Sequence, residues 1–103
     1  MATLPKQAQQ EAQRGLIVKV LADWQLEWMP SSELQLQFLR RAGYRLADTK
    51  LEFHLKYLSA AGYLETKQLR AAHAGLELTA VRATTKAVDW VEGRIPPDPA
   101  LGD

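Results

Sequence analysis

Cysteine is absent from the 103-residue sequence, which excludes disulfide bonds and thiolate metal ligands. Long apolar runs are missing as well, because uncharged apolar runs such as Gly15 to Val18 are far too short to cross a bilayer. The N-terminus also lacks the basic-then-apolar order of a signal peptide. These absences predict a soluble cytoplasmic protein with no membrane association.

An excess of one charge is missing too. Lys and Arg number 13 against 12 Asp and Glu, so the net charge of +1 neither requires nor forbids a polyanionic partner. Catalytic groups are scarce, because the two histidines, His54 and His73, have no cysteine and no carboxylate at metal-ligand spacing. A glycine-rich phosphate loop is not present. We expect no enzymatic activity, no metal and no cofactor.

The strongest pattern that is present predicts a central helix over residues 48–61. Leu51, Leu55 and Leu58 recur at steps of four and three residues, which places them on one face of a helix. Gly62 follows and can adopt the left-handed conformation that ends a helix. The leucine face should therefore lie in the core.

A second short helix is predicted upstream, over residues 32–42, and Gly43-Tyr44-Arg45 joins it to the central helix. Two short helices joined by a tight glycine-containing turn are typical of a helix-turn-helix. The extended runs Tyr63–Leu69 and Leu76–Ala83 then predict an antiparallel hairpin, or wing. The predicted fold class is mainly α with a small antiparallel β-hairpin (α+β), a winged helix-turn-helix.

The two ends of the chain complete this domain. A long first helix is predicted over residues 6–25, and Gly93 ends a short final helix. Residues 94–103 contain three prolines and are predicted to form an extended or disordered tail. The winged-helix domain is therefore placed at residues 1–93. We expect that removing residues 96–103 leaves its stability nearly unchanged, because such a tail should bury little.

Three tryptophans are many for so small a chain. Trp24 and Trp28 are predicted to fill the core between the first helix and the hairpin. Trp90 lies on the short final helix, which needs a docking surface on the first helix of its own chain or on a second subunit. Since two-fold symmetry would supply two recognition helices, we expect a homodimer through the first and last helices.

The side of the central helix opposite its leucines is the candidate binding face. It holds Thr49, Glu52, Phe53 and Lys56, with Lys50 and Tyr57 on one flank. In a winged helix this face enters the major groove. There, lysine can contact a phosphate or guanine, and tyrosine can contact a phosphate. Threonine can contact a phosphate or a base edge, and glutamate can accept a hydrogen bond from cytosine. Phe53 could contact a thymine methyl, mark a protein interface, or pack inside if the helix is rotated. The alternative is an ordinary solvated face.

The hairpin has a positive character. Its basic residues are opposed only by Glu65 and Glu77, and they are Lys67, Arg70, His73 and Arg82. This distribution suits a wing that lies on phosphates, and we predict Lys67, Arg70 and His73 as DNA contacts. An edge hairpin whose charges discourage aggregation is the alternative.

Two segments resemble a known family. His54-Leu55-Lys56-Tyr57-Leu58 and then Ala61-Gly62-Tyr63-Leu64 resemble the end of a winged-helix recognition helix as it enters the wing. The segment from Thr84 to Arg94 is similar to the last helix of small winged-helix proteins of Mu-like prophages, with their threonine cap, central aspartate and Glu-Gly-Arg ending. Ala87 stands where that group often has glycine. The resemblance covers roughly residues 15–97 and implies a prophage regulator.

Pattern and resemblance together predict a winged-helix DNA-binding protein. It would be a phage or prophage transcriptional regulator that binds double-stranded DNA with helix 48–61 and the wing, residues 63–83. The alternative is a winged-helix protein-protein interaction module of phage origin without DNA binding, because one fold hosts unrelated functions. A positive strip across Lys50, Lys56, Lys67 and Arg70 would favour DNA, and an apolar patch around Phe53 would favour a protein partner.

Overall fold

The computed structural model describes residues 6–24, 26–70 and 77–102, and only the backbone of residues 69, 70, 77 and 78. Its elements are, in chain order, α1 (Lys6–Asp23), β1 (Met29–Pro30), α2 (Ser31–Ala42), α3 (Asp48–Ala60), β2 (Leu64–Arg70), β3 (Glu77–Ala83), α4 (Thr85–Val91) and a 3₁₀ turn (Pro99–Leu101). A helix-turn-helix followed by an antiparallel hairpin confirms the predicted winged-helix fold.

The central helix α3 has the predicted register. Leu51, Leu55 and Leu58 are all buried, as their spacing indicates. At its end, Gly62 has φ 87° and donates its amide to Ser59 O, while the Tyr63 amide donates to Leu58 O at 2.9 Å. This pair of hydrogen bonds satisfies carbonyls at the end of the helix and directs the chain straight into β2.

The turn between α2 and α3 is also glycine-dependent. Gly43 has φ 84°, and its amide donates to Leu39 O at 2.9 Å. Leu34 and Phe38 of α2 pack into the same core as the leucines of α3. The turn thus fixes α2 and α3 against one common core, which leaves the opposite side of α3 free of the body.

The sheet has three strands in the order β1-β3-β2, all antiparallel. Its inner face, which packs on the helices, includes Met29, Leu64, Val81 and Ala83, and all four are buried. Because side chains alternate along a strand, Glu65, Lys67 and Arg82 lie on the outer face. The wing therefore presents its described basic residues on the side away from the core.

The C-terminal segment differs from its prediction. Residues 94–103 were expected to form an extended or disordered tail that buries little, but Leu101 is only 1% exposed and belongs to the core cluster. It lies against α1 at Gly15, where a β-carbon would overlap the Leu101 carbonyl oxygen. Asp98 accepts a hydrogen bond from the Ala100 amide at 3.0 Å and so caps the start of the 3₁₀ turn, which ends at Leu101. Prolines here shape a docked turn rather than prevent packing.

The tryptophans also differ in part from expectation. Trp24 is exposed and Trp28 is half-buried on the outer face of the sheet, so neither fills the core as predicted. Trp90, in contrast, is buried, and its ring lies near α1 at Gly15 and Lys19. Two docking surfaces were considered for the final helix. In the structure, α4 packs on α1, the first helix of the same chain.

Candidate nucleic-acid interface

The outward side of α3 is open to solvent in the register that buries its leucines. Thr49, Glu52, Phe53 and Lys56 are exposed, and Lys50 on the flank is half-buried. Phe53 has 55% of its surface exposed, so the rotated register, in which it would pack inside, is excluded. The structure thus brings together on one surface the residues that the sequence predicted for the recognition helix.

Charges on this side of α3 have few internal partners. Within the described residues, no carboxylate lies within ion-pair distance of Lys50 or Lys56, and Glu52 has no cationic partner. Asp48, at the start of the helix, is instead held by Arg45 at 2.9 Å. Two lysines and one glutamate leave this face with a single net positive charge available to a ligand.

One flank of the face is covered by α1. The Arg14 guanidinium lies 4.4 Å from the centre of the Tyr57 ring, and Arg14 itself is buried. Gln10 and Phe53 line the same small surface depression. Tyr57 is therefore held in a cation–π contact, which leaves it less free than predicted to reach a phosphate.

Beneath that flank lies a buried polar seam that the sequence did not predict. His54 is fully buried and its Nε2 donates to Gln13 Oε1 at 2.9 Å, while Gln13 Nε2 donates to Tyr44 OH at 3.1 Å. Burial, reinforced by the charges of Arg14 and Lys50, lowers the pKa of His54 to about 4. His54 is therefore neutral near pH 7 and positions α3 against α1.

A groove of about 390 Å³ separates α3 from the inner face of the wing. Its helix side includes Lys56 and Ser59, and its strand side consists of Thr66, Gln68 and Thr79. The amide and hydroxyl of Gln68 and Thr79 hydrogen-bond to each other at 3.1 Å. Except for Lys56 and Glu52, the lining is uncharged and offers hydroxyl and amide groups to a polar ligand.

The outer face of the sheet carries a separate cluster. Lys67 Nζ lies 4.2 Å and Arg82 Cζ 4.5 Å from the centre of the Trp28 ring. Arg82 also donates to Glu65 at 3.1 Å. We call Trp28, Lys67, Arg82 and Glu65 the outer-face cluster. Because Lys67 belongs to this cluster, it does not continue the surface formed by Lys50 and Lys56, so the positive strip that would have favoured DNA is interrupted at Lys67.

The remaining predicted wing contacts are only partly visible. The backbone of Arg70 pairs with Glu77 at the distal end of the hairpin, and its side chain is outside the description. His73 lies outside the described residues altogether. Both stay predictions for the tip of the wing.

A second polar contact anchors the exit of α3. Tyr63 OH donates to Asp98 Oδ2 at 2.7 Å, and Lys86 Nζ donates to the carbonyl of Ala61 at 2.7 Å. Burial first, and the contact with Asp98 second, raise the pKa of Tyr63 to about 12, and the same hydrogen bond lowers the pKa of Asp98. These contacts tie the junction of α3 and β2 to α4 and to the C-terminal segment.

Two kinds of feature are absent from the described residues: a cluster of metal-ligating side chains and a helix able to cross a membrane. No three His, Cys, Asp or Glu residues there gather around a possible metal position. None of the described helices combines the length and the apolar character that crossing a bilayer requires.

A helix-turn-helix with an exposed second helix and a three-stranded antiparallel sheet beside it defines the winged-helix class. No family model matches the chain, and no curated protein matches it. Among solved structures, the chain is similar to the circadian clock associated protein Pex from Anabaena, with a TM-score of 0.62, 21% identity and coverage of 82% of this chain and 71% of that one. It is also similar to Pex from Synechococcus sp. (strain PCC 7942), with a TM-score of 0.56, 19% identity and coverage of 82% and 83%. At sequence identities of 21% and 19%, the similarity to these two structures shows a shared fold and nothing more.

Proposed function

We propose that the protein binds double-stranded DNA through the outward side of α3. The observation that carries the proposal is the exposure of Thr49, Glu52, Phe53 and Lys56 on the second helix of a helix-turn-helix. In this arrangement such a face enters the major groove, and lysines without internal partners are free to neutralise phosphates. Lys50 and Lys56 supply that charge.

The groove beside α3 supports the same role. Ser59, Thr66 and Thr79 place hydroxyl groups along it, and Gln68 adds an amide. Many protein–DNA hydrogen bonds come from such neutral groups and reach phosphate oxygens, which orient a protein on the duplex. A DNA strand that passes between the helix and the wing would meet these groups together with Lys56.

The biological setting is proposed from the sequence resemblance. The resemblance of residues 84–94 to prophage winged-helix proteins favours a phage or prophage transcriptional regulator that acts in the cytoplasm without catalysis. A homodimer is favoured by the need for two recognition helices on a symmetric site, and Trp24 and Val91 remain exposed at the ends of α1 and α4. Light scattering of the purified chain would give its oligomeric state, and a monomer at all concentrations would contradict the dimer.

Binding to a labelled random-sequence duplex at several salt concentrations tests the proposal. We expect the parent to bind at about 50 mM salt and to lose affinity steeply as salt rises. Lys50→Ala, Lys56→Ala and Arg70→Ala should each weaken binding and reduce the slope of log K against log salt by about one unit.

Lys19→Ala provides the matched control, because Lys19 is an exposed lysine of α1 that lies 5.8 Å from the Trp90 ring, away from α3. It should bind like the parent, and circular dichroism should show every variant folded. Absence of duplex binding by the parent even at about 50 mM salt would overturn the proposal.

A protein-interaction module is the second candidate, and the exposure of Phe53 favours it specifically. An aromatic side chain with more than half its surface in water is typical of interfaces with other proteins. Under this alternative, Phe53→Ala would abolish partner capture, whereas Lys56→Ala would have little effect. Duplex binding by the parent that depends on Lys50 and Lys56 would decide against it.

A further inference from the structure

The outer-face cluster is unusual in its charge. Lys67 and Arg82 both lie within 4.5 Å of the centre of one tryptophan ring, so two like charges share a small area. Glu65 is their one carboxylate partner within the described residues, and it contacts Arg82 only. The cluster therefore keeps an unbalanced positive charge on a chain whose net charge is +1.

Covering the sheet does not require this arrangement. Ala80, which pairs with Lys67 and lies on the same face, is only 1% exposed, so the outer face does need a cover. An apolar ring such as that of Trp28 is sufficient for this purpose. A second cation beside the ring adds repulsion between like charges, and this cost points to a ligand of opposite charge.

The geometry of the cluster suits phosphate oxygens. The ring restricts both cationic groups to one side of the sheet, which reduces the entropy lost when they bind. Arginine offers a planar fork of N–H donors and lysine a point charge, and both are common phosphate ligands. The inner side of the wing faces α3. The outer side would therefore contact a different stretch of the nucleic-acid backbone.

We propose that the outer-face cluster is a second phosphate-binding surface, which binds nucleic-acid backbone on the far side of the wing from α3. Lys67 and Arg82 contact the phosphates, and Trp28 is a positioning residue that holds them. Glu65 limits the affinity by competing for Arg82. This inference rests on the proposed DNA-binding function and extends it to a face that the recognition helix does not reach.

Salt-dependent binding to the random-sequence duplex tests the two cations. Lys67→Gln and Arg82→Gln should each reduce the slope of log K against log salt by about one unit, because each removes one phosphate contact. Lys19→Gln is the matched control, since Lys19 also lies over a tryptophan ring but outside the cluster. Its slope should equal that of the parent.

A gain of binding separates the proposal from simple damage to the fold. Glu65→Gln should raise duplex affinity at low salt by about two- to fivefold, because it removes one opposing charge beside Arg82. A merely structural cluster would give the opposite result, since loss of the ion pair would weaken the wing.

Trp28 is tested by a conservative pair of variants. Trp28→Phe keeps an aromatic ring for the cations and should retain most of the duplex affinity, whereas Trp28→Leu keeps an apolar cover but no ring and should lose the part of the affinity that Lys67 and Arg82 supply. Indole N–H signals in NMR spectra provide a direct readout, with Trp28 identified by its absence in Trp28→Phe. Its signal in the parent should shift on addition of duplex.

The outcomes distinguish this inference from the proposed function. If Lys50→Ala and Lys56→Ala weaken binding while Lys67→Gln and Arg82→Gln leave the salt slope unchanged, α3 binds DNA and the outer-face surface is refuted. If the Trp28 indole signal stays in place under saturating duplex, the surface is likewise refuted. If the parent binds no duplex, both proposals fall.

Discussion

The two sides of α3 differ in how their residues are used by the fold. The inner side, with Leu51, Leu55 and Leu58, is buried and forms part of the core. The outer side is exposed, and its lysines and glutamate have no ion-pair partners among the described residues. Packing explains the inner side, whereas Phe53 on the outer side keeps 55% of its surface exposed even though its ring lies 5.8 Å from that of the adjacent His54.

This difference indicates where an external partner would bind. A residue that the fold needs is buried among its neighbours, whereas a large apolar residue with more than half of its surface in water is available to a ligand. Substitutions on the two sides should separate them, because those in the core should lower the stability of the fold most and those on the outer side least.

Leu58→Ala should cause the largest loss. Leu58 is fully buried, so its truncation removes apolar contacts and leaves a cavity, and we expect the free energy of unfolding to fall by about 2 to 5 kcal/mol. Urea denaturation measures this loss. A change below about 0.5 kcal/mol would mean that α3 is rotated and that its proposed DNA face is wrong.

Leu101→Ala should be the next most damaging. Although Leu101 lies far along the chain in a proline-rich segment, it packs in the same core against α1, and we expect a loss of about 2 to 3 kcal/mol. Chemical denaturation gives the free energy of unfolding of this variant and of Ala100→Gly. The first variant removes a buried side chain and the second only makes the backbone more flexible, so the two losses can be compared. A melt unchanged from that of the parent would restore the original prediction of a dispensable tail.

His54 should make stability depend on pH. Its folded pKa of about 4 lies below its unfolded value of 6.5, so its contribution is complete above pH 6.5 and is lost as pH falls toward 4. Between pH 7 and pH 5 the loss from this residue should be about 2 kcal/mol. His54→Gln cannot titrate, and its unfolding free energy should change less over this range. Equal pH dependence in both proteins would show that His54 is not buried as neutral imidazole.

Phe53→Ala should have the smallest effect on the fold. Because Phe53 projects from the outer side of α3, its truncation should change the free energy of unfolding by less than about 0.5 kcal/mol. The same variant should change ligand binding. A stability loss above about 1 kcal/mol would show that Phe53 packs on the body, and the contrast between the two sides would then disappear.

Local spacing was sufficient to predict the helices and the hairpin. The period of Leu51, Leu55 and Leu58 specified the register of α3, and the same register placed Thr49 and Lys56 on the exposed side. Turn glycines could also be recognised, because a left-handed backbone at Gly43 or Gly62 needs no distant partner.

Contacts between distant residues could not be predicted in this way. His54 is buried because Gln13, on another helix, supplies a hydrogen-bond acceptor, and nothing in the sequence around His54 indicates that partner. The pairing of Trp28 with Lys67 and Arg82 depends on a two-residue strand placing Trp28 beside the hairpin. Part of the candidate interface therefore became visible only in three dimensions.

The contact of Leu101 with Gly15 has a consequence for biosynthesis. α1 is synthesised before the other described elements, yet its surface at Gly15 stays uncovered until residue 101 has been made. We therefore expect a nascent chain stalled before this residue to keep α1 accessible to protease, and a chain extended beyond it to become resistant. Such dependence on a contact between opposite ends of the sequence delays completion of the core and lengthens the period in which chaperones can bind.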